Sequence, residues 1–173
     1  MSRGGGGERR TPEREGRRLA LGAIFEADFG MRTPQRVLER RLEEEGATGV
    51  AASHARILVD AVTRYRDGID AEIERRAPAY PVVQLARIDR ALLRCGMGEL
   101  LHCPATPTRV AISEWVEMAR TYSGEPTRRL VNGVLGQVAH ASTRQGSDRG
   151  PHDGSPDLKQ PDVTAGHVEG EQQ

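Results

Sequence analysis

Leu130, Val131, Val134, Leu135 and Val138 recur at the three-and-four-residue spacing of one helix face, which predicts a final, core-facing helix. Gly133 interrupts that helix at a cost of about 1 kcal/mol relative to alanine, so a neighbouring helix is expected to pass too close for a side chain. Asn132 beside it is expected to be half-buried and hydrogen-bonded. Upstream, Leu19, Ala20, Ala23, Ile24 and Ala27 mark a first helix from about Pro12 to Phe29, capped by Thr11, led by Pro12 and ended by Gly30. Val37, Leu38 and Leu42 mark a second from Pro34 to Glu45 with Thr33 as cap, before a loop at Gly46–Gly49. A third starts at Ser53, carries Ile57, Leu58, Ala61, Val62 and Tyr65 inward, and is kinked or broken at Gly68. Ile69 and Ile73 continue that pattern to Arg76, where Pro78 and Pro81 stop it.

Val83 to Leu101 reads as one helix, with Leu85, Ile88, Leu92, Cys95 and Glu99 along one side and Arg87, Arg90 and Arg94 along another. Thr108 is the expected cap of a helix from Arg109 to Tyr122, with Ile112, Trp115, Val116 and Ala119 inward. Ser123–Pro126 is a turn, and Thr127 the expected cap of the final helix. Strand-like alternation is missing and the later connections are short. The fold class is therefore all-α, a bundle of roughly six or seven helices.

Composition changes this picture mainly at the ends. The 173 residues suffice for one domain with tails. Residues 1–12 read as a disordered Arg/Gly-rich leader, 13–141 as the helical domain, and 142–173 as a disordered acidic tail. Charge is neutral overall but uneven. Residues 1–18 hold six Arg against three Glu, and 142–173 hold three cations against six acids. A basic head suits phosphate binding, because each arginine placed on a phosphate releases a counterion. Arg14, Arg17 and Arg18 lie within one turn of each other on the first helix, and this cluster is the best functional signal in the residues themselves. With Arg10 they are the candidate RNA contacts. Tyr122, beside the last turn, either stacks on a base or closes the core. Phe25 and Phe29 face either a partner or the core.

Other chemistry finds little support. Cys95, His102 and Cys103 do not complete a zinc-like set, and the cysteines are expected to pack. No phosphate-binding glycine loop or nucleophile elbow is present. Glu114 and Glu117, one turn apart, read as a solvated face. No cofactor, metal or enzymatic activity is expected. No apolar run opens the chain and no stretch is long enough to span a membrane, so a reduced cytoplasmic setting is expected.

Several stretches resemble one known family. Glu15-Gly-Arg-Arg-Leu-Ala-Leu-Gly-Ala-Ile-Phe resembles the arginine-led first helix of the transcription antitermination factor NusB. Ile88-Asp-Arg-Ala-Leu-Leu-Arg, Gly98-Glu99-Leu100 and Val110-Ala-Ile-Ser-Glu resemble its central helices. Glu117-Met-Ala-Arg-Thr-Tyr and Val131-Asn-Gly-Val-Leu resemble its last two. The likeness spans residues 14–141. It implies two three-helix sub-bundles sharing a helix, and no catalysis. It also implies pairing with NusE, a ribosomal small-subunit protein, and joint binding of boxA RNA within the elongation complex, supporting ribosomal RNA transcription. Carried over, Arg14 and Arg17 match basic RNA-binding positions, and Asn132 and Gly133 a motif near the RNA side, with Arg128 on the same helix. Phe25 and Asp89 match positions facing NusE. The chain departs from the family pattern at Glu13 and Glu15, at Ser113 for a usual Asn, at Gly98 for a usual Tyr, and at Pro126 where an acid is common. Two other readings remain: a helical adaptor or homodimer that binds no RNA, and a targeting module of the kind fused to RNA cytosine methyltransferases, for which no cofactor domain follows here.

Overall fold

In a computed structural model, which describes residues 11–147 and their side chains as far as Ala141, the described chain forms seven α-helices and no strand. They are α1 (Pro12–Ala27), α2 (Pro34–Glu45), α3 (Gly49–Arg64), α4 (Arg66–Arg76), α5 (Arg87–His102), α6 (Thr108–Tyr122) and α7 (Glu125–Ser147), with a short 3-10 turn at Val82–Gln84. Of the leader only Thr11 and Pro12 are described, at the start of α1, and of the tail only 142–147, which continue α7; Arg10 lies outside the described residues.

The first two helix starts follow their caps. Thr11 Oγ1 accepts from the Arg14 N–H at 3.2 Å and Thr33 Oγ1 from that of Arg36 at 3.4 Å, each satisfying one of the free donors of a first turn. Elsewhere the boundaries shift. α3 starts at Gly49, four residues before Ser53. The break between α3 and α4 falls at Tyr65 and not at Gly68, which continues α4. The single helix expected from Val83 divides: Leu85 and Ala86 are extended before α5 begins. Val82, 1% exposed, anchors that connection, and its N–H donates to Glu74 Oε1 at 3.1 Å. Thr108 and Thr127 lie inside helices and do not cap them.

α1 packs on α2 and α3, and α6 on α7, while α5 touches α1, α3, α4, α6 and α7. It is the shared element of both groups. Leu19, Leu58, Leu92, Cys95, Trp115, Val131 and Leu135 are fully buried where these helices meet. The glycines of α5 make the close approach possible. A Cβ on Gly98 would lie 2.6 Å from Val62 Cγ2, and one on Gly96 would lie 3.0 Å from Leu135 and 3.3 Å from Trp115.

An ion-pair network fastens the same helix. Arg94, 5% exposed, donates to both Asp70 oxygens at 2.8 and 2.7 Å, and its Nη1 lies 3.4 Å from Asp28. Arg90 Nε donates to Asp28 at 3.1 Å. Asp28 caps the end of α1 and Asp70 belongs to α4, so α5 is clamped to both.

Four expected interior positions prove external. Ile57 is 58% and Tyr65 43% exposed. Asn132 is exposed, and Gly133 has open space where a Cβ would stand. The spacing located the buried stripe of α7 correctly, but these two residues lie on its outer edge.

Candidate nucleic-acid interface

Where the start of α1 meets α6 and the first half of α7, their side chains line an open groove of about 590 Å³. Arg14, Arg128 and Asn132 come together in it, three of the seven RNA candidates drawn from four separate parts of the chain. Arg120 lines it too. Sequence reasoning passed over Arg120, although its position three residues after Glu117 was a visible helix-surface pair. Glu114 and Glu117 are wall residues of this groove, not a lone solvated face.

Each groove arginine meets a glutamate. Arg128 Nε and Nη2 both donate to Glu125 at 2.7 Å. Arg120 Nε donates to Glu117 at 3.1 Å, and Arg14 Nε stands 3.7 Å from Glu114 Oε2. The hydrogen bond from Arg128 holds the Glu125 carboxyl at about 2, below the usual carboxylate range. The hydrogen bond from Arg120 lowers that of Glu117 in the same way.

Arg17 requires a correction. It is 2% exposed, and its Nε and Nη2 each donate at 2.8 Å to one oxygen of Glu99. Glu99, 1% exposed, also accepts from Trp115 Nε1 at 2.6 Å and Thr106 Oγ1 at 2.9 Å, with His54 Nε2 at 3.1 Å. Burial pushes this carboxyl up, but the hydrogen bonds from His54, Arg17 and Thr106 prevail and hold it at about 2. A guanidinium so enclosed cannot reach a phosphate, and Arg17 is a core residue. The available signal was Glu99 itself, a carboxylate in the apolar stripe of α5, because a buried charge requires a partner. Arg18 does not line the groove. It donates to both Glu15 oxygens at 3.1 Å and pairs with Glu45.

Tyr122 is 45% exposed at the end of α6 and does not line the groove. Phe25 is half-buried and meets Phe29 edge-on at 5.4 Å between centroids, while the Arg87 guanidinium stacks on Phe29 at 4.5 Å. Asp89 accepts from Thr127 Oγ1 at 3.0 Å and from Ser123, tying α5 to the start of α7. It also lines a second depression of about 500 Å³ with Tyr80, Leu85 and Leu130. Cys95 and Cys103 are buried thiols. Desolvation raises both, that of Cys103 to about 11, so they pack as neutral groups. Among the described residues no cluster of three or more His, Cys, Asp or Glu could hold a metal ion, and no helix is long and apolar enough to cross a membrane.

The NusB family model matches residues 14–140, the whole helical body from the groove arginine of α1 into α7. The chain belongs to the NusB family. A transcription antitermination protein NusB of Dehalococcoides mccartyi is 37% identical over 131 residues, covering 76% of this chain and 92% of its own length. One of Myxococcus xanthus is 36% identical over 139 residues, covering 78% of this chain and 96% of its own. Among solved structures, T. maritima NusB superposes with a TM-score of 0.69 at 30% identity, over 75% of this chain and 92% of that one. A complex of antitermination factors NusB and NusE with dsRNA gives a TM-score of 0.68 at 24% identity, over 75% and 97%. That likeness concerns the fold. The NusB family accounts for the all-α architecture. It leaves the roles of individual side chains to their local geometry, as Arg17 and Glu99 illustrate.

Proposed function

We propose that this protein is a transcription antitermination factor that binds boxA RNA together with a NusE-type ribosomal protein, within the elongation complex and in support of ribosomal RNA transcription. The observation that carries the reading is the convergence of Arg14, Arg128 and Asn132 in one groove of a NusB-family body. The related NusB found with NusE and dsRNA lends it support. The RNA-binding guanidiniums are those of Arg14, Arg120 and Arg128. Surface pairs such as Arg128–Glu125 are screened by solvent and contribute little, so a phosphate can take over their donors. Asn132, exposed and carrying both amide donors and a carbonyl acceptor, faces base edges. The partner meets the opposite end of α1, where Phe29, Met31 and Val83 are 52%, 86% and 78% exposed around the Arg87 stack. Phe25 supports that surface through its edge-on contact with Phe29, and Asp89 meets the partner from the depression that it lines with Tyr80, Leu85 and Leu130.

The test is a titration of labelled boxA RNA with the full chain, with and without NusE. Arg14→Ala with Arg128→Ala is expected to weaken binding at least tenfold. The salt dependence is expected to flatten by about 0.7 for each single-strand phosphate that is no longer neutralised. Undiminished affinity in the double variant would move the RNA elsewhere. Absence of RNA binding by the wild type, with NusE present, would favour the helical adaptor or homodimer instead.

A further inference from the structure

The arginines of the groove are not a bare basic patch. Arg14, Arg120 and Arg128 are matched in number by Glu114, Glu117 and Glu125 on the same walls. Arg128 holds Glu125 through two 2.7 Å hydrogen bonds, Arg129 Nε adds a third at 3.3 Å, and Arg120 holds Glu117 through Nε at 3.1 Å. Glu114 differs from these two. Its Oε2 accepts no hydrogen bond and lies 3.7 Å from Arg14 Nε and 4.0 Å from Nη1 of the buried Arg17, so it sits between the groove and the core.

Resting on the functional reading above, we infer that Glu117 and Glu125 are specificity determinants of this groove: they occupy its arginines and thereby suppress phosphate-only binding of non-cognate RNA. Non-specific binding is almost wholly electrostatic, driven by the counterions that free cations release. A guanidinium already neutralised by a carboxylate releases fewer. A phosphate that takes over the Arg128 donors leaves Glu125 beside it, still ionised at neutral pH as an exposed carboxylate ordinarily is, and the two negative charges repel. An RNA that adds base-edge contacts, for which exposed Asn132 is placed, offsets that penalty; one that offers phosphates alone does not. The acidic lining therefore lowers background affinity more than cognate affinity.

The test compares the full-length wild type with Glu117→Gln plus Glu125→Gln, titrating boxA RNA and a scrambled RNA of equal length over a salt series, with NusE present. Glu39→Gln plus Glu43→Gln is the control, since it removes the same charge from exposed positions on α2. All three proteins are expected to melt alike. In the groove variant, scrambled RNA is expected to bind about tenfold tighter at low salt, with a steeper slope, while boxA binding gains less and the preference for boxA narrows. The control is expected to match the wild type. Unchanged scrambled-RNA affinity, an equal gain for both RNAs, or an equal gain in the control would each overturn the inference while leaving the function standing. A wild type that binds neither RNA overturns the function, and the inference with it.

Discussion

Glu99 sits 1% exposed in the apolar face of α5 and accepts from Arg17, Trp115 and Thr106. A charge pair this enclosed is costly to break, because removing one partner strands the other: about 3–5 kcal/mol. Arg17→Ala and Glu99→Gln are each expected to lower the melting temperature by roughly 10 °C or more, whereas Arg14→Ala at the groove mouth leaves it nearly unchanged. The pH dependence has a definite sign. The folded Glu99 carboxyl is held at about 2 against an ordinary 4.5, so its contribution is fully present above pH 4.5 and is lost as pH falls towards 2. The stability gap between wild type and Glu99→Gln, followed by denaturant melts, is therefore expected to be widest near neutrality and to narrow over that acid range. A constant gap would detach Glu99 from the acid response. The sequence displayed Glu99 in the buried stripe and Arg17 on the first helix, but the two are 82 residues apart. Spacing along one helix cannot reveal a partner on another, so Arg17 read as a surface cation.

Among the elements, the stripes were legible and the interruptions less so. Hydrophobic periodicity located every helix, since the face that must be buried repeats at the helical period. Glycine was harder to interpret, because the same residue serves close packing and open space alike. Gly98 on α5 faces Val62, while Gly133 on α7 faces nothing within 4 Å. Gly98→Ala is expected to destabilise by about 1–3 kcal/mol through overpacking between α5 and α3. Gly133→Ala is expected to stabilise by about 0.5–1 kcal/mol, the helix-propensity gain. Thermal melts of the two variants should shift in opposite directions; a drop in stability at Gly133 would restore the close helix approach expected from spacing alone. The break at Tyr65 was also hidden. The Tyr65 ring there stacks on His102 at the end of α5 at 3.8 Å, a contact between helices that local propensity, which favours a break at Gly68, does not display.

For the whole molecule, the basic leader and acidic tail dominate the charge map of the sequence, yet the groove of the described body is built from balanced pairs. Three candidates proposed for RNA, Arg14, Arg128 and Asn132, meet there although more than 100 residues of chain separate the first from the others. Resemblance to the NusB family picks out Arg14 and Asn132, and with them Arg17, which the structure buries. The acidic counterparts and Arg120 became visible only once α6 and α7 were packed together. On the proposed function, RNA enters this groove while the Arg17–Glu99 pair stays closed beneath it. The most direct measurement is an NMR titration of the arginine side-chain Nε–H signals with boxA RNA and NusE. The signals of Arg14, Arg120 and Arg128 are expected to shift as RNA is added, and that of Arg17 to stay in place. A moving Arg17 signal with three unmoved groove arginines would contradict the account.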